Sequence, residues 1–585
     1  MKDTILYLIV NRFAALCSLE LKFRAEKEQN LKIIIAMKYF ECLRFCEKLI
    51  TGILLFIGIQ VVSAQETFTR KDSLHGGLRF ERICYDVLRY DLNIKINPTE
   101  KSILGYNDIT FKIVEDTPKI QLDLFENMKI DSILLEGKKL KYDREFDAVF
   151  IRFLQPLLKD SEKRLRFYYS GTPIIAKRAP WDGGFVFNKD SNGKDWIGVA
   201  VQGTGASLWF PCKDTQTDEP DDGTTLKVAV PNGLINVSNG RLIGNEDLKN
   251  GYTRWDWEVK NPINNYDITV NIGDYVHFGE NYKGLNLDFY VLRENEVKAK
   301  VHFEQVKPML DCFQSKFGKY PFTEDGYKLV ETPYLGMEHQ SAVAYGNKYK
   351  NGYLGGDLSQ TGIGLLFDYI IIHESGHEWF GNSITSKDIA DMWIHEGFTM
   401  YTEVVYVECQ FGYEKAMQYI NGMQKNVRND KPILGQYGVN NEGSGDMYPK
   451  GSLLLNTVRH IINDDEKWWK LLLDYSKTFY HKIIDTESVI AFFNEKSGIN
   501  LTPVFNQYLR YVGIPSFDYR IVKNKLEYRW RSNVTDFNMP VDIGIKGKII
   551  RLQPTTTWQT SKIKVSKLKN INVLKDHFFI SSFAY

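Results

Sequence analysis

Apolar and polar residues change rhythm twice along the chain. From about residue 80 to 285 they alternate, as at Leu92, Ile94 and Ile96, at Ile109, Phe111 and Ile113, and at Ile120, Leu122 and Leu124. Clusters of Gly, Asn, Asp and Pro separate these runs. A period of two between turn signals predicts half-buried antiparallel strands and one large β domain. Near residue 295 the period lengthens. Phe303, Val306, Leu310, Phe313 and Phe317 recur at helical spacing, and Gly318 with Tyr320-Pro321 makes a stop. Pro308 inside this run predicts a kink or a division into two helices. Helical signals continue to about residue 511, for example from Val404 to Val427 and from Ser452 to Ile462. Alternation returns after Gly513, at Leu526, Tyr528 and Trp530 and again at Val541, Ile543 and Ile545. The expected fold class is multidomain α+β: a β-sheet domain over 65–286, a mainly helical domain over 287–512 and a small β-sandwich over 513–585.

The segment before residue 65 reads as an address. From Met37 the sequence runs MKYFECLRFCEKLITGILLFIGIQVVSAQ, with Lys38, Arg44 and Lys48 ahead of an apolar run from Leu49 to Val62. Val62-Ser63-Ala64 suits cleavage before Gln65. This layout predicts a signal peptide over 37–64 and an exported protein, periplasmic or secreted, with no stable membrane span after cleavage. Residues 1–36 form an uncertain leader. Lys plus Arg number 74 against 73 Asp plus Glu, a balance that gives no reason to expect a nucleic-acid partner. Outside the leader, Cys84, Cys212, Cys312 and Cys409 are far apart and form no C-x-x-C. The expectation is four isolated buried thiols.

The chemistry concentrates in IIIHESGHEWFGNSITSKDIADMWIHEGFTMYTE. His373 and His377 stand four apart, so a helix puts both rings on one face, where they can share a metal. Glu374 follows the first of them, the place from which an H-E-x-x-H glutamate takes a proton from a zinc-bound water. A catalytic zinc needs three protein ligands, and Glu396, eighteen residues beyond His377 in a second helix-like stretch, is the expected third. His395 competes for that role but points about 100° away around a helix. Glu403, seven residues after Glu396, is either a partner that orients a ligand or a surface glutamate.

At this point the residues resemble the gluzincin zinc aminopeptidases, the M1 metallopeptidase family of membrane alanyl aminopeptidase and leukotriene hydrolase. The ligand spacing is that family's. His377 to Asn382 is similar to its H-Q-W-F-G-N, and Trp393 to Phe398 to its W-L-N-E-G-F. Gly336-Met337-Glu338-His339 resembles G-x-M-E-N, Tyr448-Pro449-Lys450-Gly451 resembles Y-x-K-G, and Gln202 with Trp209 to Asp214 resembles the N-domain segment ending F-P-C-x-D. The resemblance implies a thermolysin-like catalytic domain, one Zn2+ per chain and peptide substrates with a free N-terminus. It assigns Glu338 to the substrate's α-amine, Gln202 to a further hydrogen bond from that ammonium, Gly336 and Met337 to substrate binding, and Tyr448 to the oxyanion. His339 stands where the motif has Asn, so the hydrogen bonding there is expected to change. Many members continue into a large C-terminal helical domain; this chain stops at Tyr585, which implies a short form with a more open cleft. A thermolysin-type endopeptidase sharing the zinc ligands without needing Glu338, and a non-catalytic scaffold, are the alternatives. The scaffold should have lost a ligand or the base, yet His373, Glu374, His377, Glu396 and Tyr448 are all present.

Overall fold

The alternating segment folds as its period requires. Tyr85–Asn97 (β1) buries every second side chain, Leu92, Ile94 and Ile96 among them. It pairs antiparallel with Ser102–Ile113 (β2) and parallel with Thr224–Pro231, at the centre of an eight-stranded sheet. A four-stranded sheet containing Asp195–Ala200 and a three-stranded sheet containing Thr117–Asp123 share its apolar core. The structure is a computed structural model and describes residues 67–585. The leader and the expected signal segment lie outside the described residues.

A five-stranded sheet follows. Tyr275–Tyr282 (β3) and Leu285–Leu292 (β4) form a hairpin, and Tyr327–Glu331 (β5) adds parallel to β4. Gly336–Met337 (β6) closes the sheet as an edge strand, antiparallel to Val343–Tyr345 (β7). Between β4 and β5 the helical run divides, as Pro308 predicts. A 3-10 turn over Phe303–Gln305 separates Glu296–His302 from Val306–Phe317 (α1). Pro308 sits in the first turn of α1, where its missing N–H is tolerated.

Three further helices frame the site: Tyr369–Gly376 (α2), Trp393–Phe411 (α3) and Pro449–Ile462 (α4). Gly412 ends α3, so the single helical run from Val404 to Val427 is two helices. The C-terminal strands form a four-stranded and a three-stranded sheet. Their inward residues Phe517, Trp530, Val541 and Ile543 join one continuous core with the helices. From Phe68 to Tyr585 the chain is one compact unit. No described helix is long and apolar enough to cross a membrane.

The thiols differ from expectation. Cys312 on α1 and Cys409 on α3 form a disulfide, whereas Cys84 and Cys212 are free and buried. The two partners are 97 residues apart in sequence, and only the packing of α1 against α3 brings them together.

Candidate active site

Helix α2 is anchored before it carries any chemistry. Its N-cap Asp368 accepts from Ile370 N at 2.9 Å and Ile371 N at 3.2 Å, while Tyr345, His302 and Asn347 donate to the same carboxylate. Such a cap satisfies backbone donors that the helix leaves unpaired. Ile370, Ile371 and Ile372 are buried, so the helix is fixed in the core and aims His373 and Glu374 into a cleft. His377 caps its end.

Both imidazoles are held from behind. His373 Nδ1 is 2.7 Å from Glu403 Oε1 and 3.2 Å from the Tyr369 hydroxyl. Tyr419 donates to the other oxygen of Glu403 at 2.6 Å. His377 Nδ1 is 3.0 Å from Phe380 O and 3.1 Å from Thr399 Oγ1. The Phe380 carbonyl reaches back because Gly381 adopts φ +134°; a Cβ there would stand 2.9 Å from His377 Nδ1. Fixing Nδ1 on both rings leaves both Nε2 atoms facing Glu396, in the first turn of α3. Glu396 Oε2 lies 3.3 Å from His377 Nε2 and 3.6 Å from His373 Nε2. That oxygen is buried and has no hydrogen-bond partner. A buried, unsatisfied carboxylate oxygen between two oriented imidazole nitrogens fits a metal ion. Burial opposes ionisation of Glu396, but the adjacent imidazoles prevail and hold its carboxyl well below the usual range.

A second group of three adjoins the first. Ligand-type atoms of Glu338, Glu374 and His377 lie within 4.8 Å of one another, and His377 belongs to both groups. Glu374 stands over β6, where a Cβ on Gly336 would meet its Oε1 at 2.7 Å, so a side chain at that position would displace the Glu374 carboxylate. Burial raises the pKa of Glu374, with His373 pulling the other way and Glu338 adding to the rise. Glu338 accepts from Gln202 Nε2 at 2.5 Å and from the Tyr266 hydroxyl at 3.2 Å; Gln202 Nε2 also donates to Glu396 at 3.2 Å. Gln202 therefore presents its nitrogen here, not the oxygen that an ammonium requires; rotating the amide exchanges the two. The Tyr448 ring stacks on His373 with centroids 6.1 Å apart, and burial pushes its phenol well above the usual value.

His395 turns the other way. Its Nε2 accepts from Ser386 N at 2.8 Å, and burial pushes its pKa down to about 3. His339 is fully buried, neither ring nitrogen has a partner, and burial lowers its pKa to about 3. Tyr266, Tyr369, Tyr419 and Thr399 were not expected at the site. Tyr266, Tyr419 and Thr399 act on residues 16 to 72 positions away through tertiary packing, which no local pattern marks, whereas Tyr369 stands one turn before His373 on α2 and its helical spacing could have found it.

His373, Glu374, His377 and Glu396 open on one cleft of about 1050 Å³, lined also by Gln202, Gly336, Met337, Glu338 and Tyr448. Residues 301–508 match the model of the peptidase family M1 domain, and residues 87–266 match that of the peptidase M1 N-terminal domain. The chain belongs to peptidase family M1. Among M1 proteins it is similar to aminopeptidase N of Lactobacillus helveticus, at 24% identity over 426 residues, which is 66% of this chain and 47% of that protein. It is also similar to probable aminopeptidase 1 of Sulfurisphaera tokodaii, at 20% identity over 489 residues, 79% of this chain and 58% of that protein. The chain thus spans about half the length of the curated relatives it matches. The M1 zinc metallopeptidase of Deinococcus radiodurans shares the fold, with a TM-score of 0.63 at 20% identity over 76% of this chain and 97% of that one.

Proposed function

We propose that this M1 chain is an exported zinc aminopeptidase that releases single residues from peptide N-termini. The observation that carries this reading is the placement of Glu338. Its carboxylate belongs to the group that shares His377 with the three metal ligands. An α-ammonium held on Glu338 leaves room for one residue before the scissile carbonyl, which counts cleavage from the N-terminus. An endopeptidase has no use for a carboxylate at that spot.

His373, His377 and Glu396 would hold zinc, which would supply a Lewis acid for the scissile carbonyl and for the attacking water. Glu374, in a desolvated position that raises its proton affinity, takes a proton from the attacking water and returns it to the leaving amine. Tyr448, kept protonated by burial, donates its phenol proton to the developing oxyanion. Gln202 turns its amide to accept from the α-ammonium alongside Glu338. Gly336 and Met337, on edge strand β6, offer backbone groups along which the peptide extends.

The test is a panel of aminoacyl chromogenic amides with and without chelator, beside N-acetylated peptides. Hydrolysis of the amides, its loss on chelation and refusal of the acetylated peptides are expected. Equal cleavage of blocked and free peptides would establish the endopeptidase instead. Glu338→Ala should raise KM for free-amine substrates strongly. Export is supported by the signal-like segment and by the Cys312–Cys409 disulfide, a bond that persists in oxidising compartments. A mature N-terminus at Gln65 is the expected product, and a cytoplasmic protein with an intact N-terminus would refute it.

A further inference from the structure

The wall of the cleft carries a carboxylate that the proposed chemistry does not use. Glu442 lies in the loop that leads to Tyr448, and that loop is pinned at both ends. Gly435 N donates to Ala390 O at 3.0 Å, and Ser444 N to Pro432 O at 3.0 Å. Between them, Asn440 Nδ2 donates to Gly203 O at 2.9 Å. This last bond draws the loop against the segment that holds Gln202. Glu442 Oε2 consequently stands 3.7 Å from the position a Cβ on Gly203 would take. The next residue along that segment, Gln202, donates to Glu338.

Glu442 forms no hydrogen bond or ion pair among the described residues. Its side chain is accessible through the cleft, yet the surrounding walls desolvate it and raise its pKa, with the charge of Glu396 adding and Lys431 opposing at longer range. Arg428, the other cation of this loop, is engaged by Asp430 at 3.4 Å and Asp446 at 4.0 Å. An unpaired carboxylate in a partly dehydrated cleft is stabilised by any cation brought to it.

We propose that Glu442 selects substrates whose N-terminal residue carries a cationic side chain, lysine or arginine. This rests on the aminopeptidase reading. With the α-ammonium on Glu338 and the carbonyl toward Tyr448, the first side chain leaves between the Gln202–Gly203 segment and the Tyr448 loop. Only a long side chain reaches the carboxylate there, and only a cationic one gains from it. The partner chemistry is a guanidinium or ammonium on a flexible aliphatic stem.

Arginine and citrulline test this directly, since they differ chiefly in charge. The kcat/KM ratio of the arginyl to the citrullyl amide is expected to be about tenfold, the lower end for a charge-assisted hydrogen bond. Glu442→Gln should bring that ratio close to one, and Glu442→Asp, which keeps the charge with a shorter reach, should leave it in between. Calorimetric binding of free L-arginine against L-citrulline should show the same order without turnover. A ratio near one in the wild type, or one that Glu442→Gln does not move, overturns the proposal. Failure to hydrolyse any amide would instead sink the aminopeptidase reading, while the calorimetric comparison still judges Glu442.

Discussion

Glu403 acts on the site only through another side chain. It sits two turns beyond Glu396 on the same face of α3, and its Oε1 takes the Nδ1 proton of His373 at 2.7 Å. That bond fixes the tautomer and turns Nε2 toward Glu396; Tyr419 in turn holds the second oxygen of Glu403. Removing such a partner weakens metal binding about 10–100-fold in comparable sites. Glu403→Ala is therefore expected to lower zinc affinity by that factor, measured by competition with a chromophoric chelator. An affinity equal to the wild type would reduce Glu403 to a buried structural glutamate. The spacing from Glu396 to Glu403 made this residue visible in the sequence, because helical periodicity states which residues share a face. Periodicity says nothing about which side chains of other elements arrive at that face, and so Tyr419 and Tyr266 had no signature, whereas Tyr369 shares α2 with His373 at a spacing of four.

The elements themselves were largely legible. Alternation located β1 and β2, and the H-E-x-x-H spacing required the helix that α2 supplies. What the pattern could not state is how elements far apart in sequence pack. Cys312 and Cys409 illustrate this: each looks like an isolated helical cysteine, and their bond exists because α1 crosses α3. That bond braces the helix that carries both Glu396 and Glu403. A cross-link spanning 97 residues restricts the unfolded chain, and such bonds commonly add about 2–4 kcal/mol. The double variant Cys312→Ser/Cys409→Ser should unfold at correspondingly lower denaturant or temperature. It should also lose zinc more readily at temperatures where the wild type keeps it. If the variant melts with the wild type, the bond adds no constraint beyond the packing of α1 on α3.

At the scale of the molecule, the cleft lies where the N-terminal β region meets the helical region, a usual place for a ligand site. Buried polar contacts set the relation of the two regions. Asn239 Nδ2 donates to Gln340 O at 2.7 Å, Lys260 N and Asn261 N donate to Asp325, and Lys328 Nζ donates to Gly240 O. Glu219 belongs to this set, accepting from Thr385 Oγ1 at 2.5 Å just beyond α2. Burial first, and then the neighbouring charges of Asp218 and Asp221, push its pKa from 4.5 up to about 7, against the hydrogen bonds from Thr385 and Asn264. Between those two values the folded state holds the proton that the unfolded state has released. Stability therefore falls as pH rises through this window and levels off above it. Glu219→Gln keeps an acceptor for Thr385 and carries no charge to bury. The variant should match the wild type near pH 4, where both are neutral at this position. At pH 8 it should be more stable, by at most about 3 kcal/mol at 1.36 kcal/mol per pKa unit. Denaturation midpoints of both proteins at the two pH values measure this. A difference that does not change with pH would place the ionisation of Glu219 outside the coupling of the two regions. A difference that grows with pH would tie the stability of the cleft's two walls to this one buried proton.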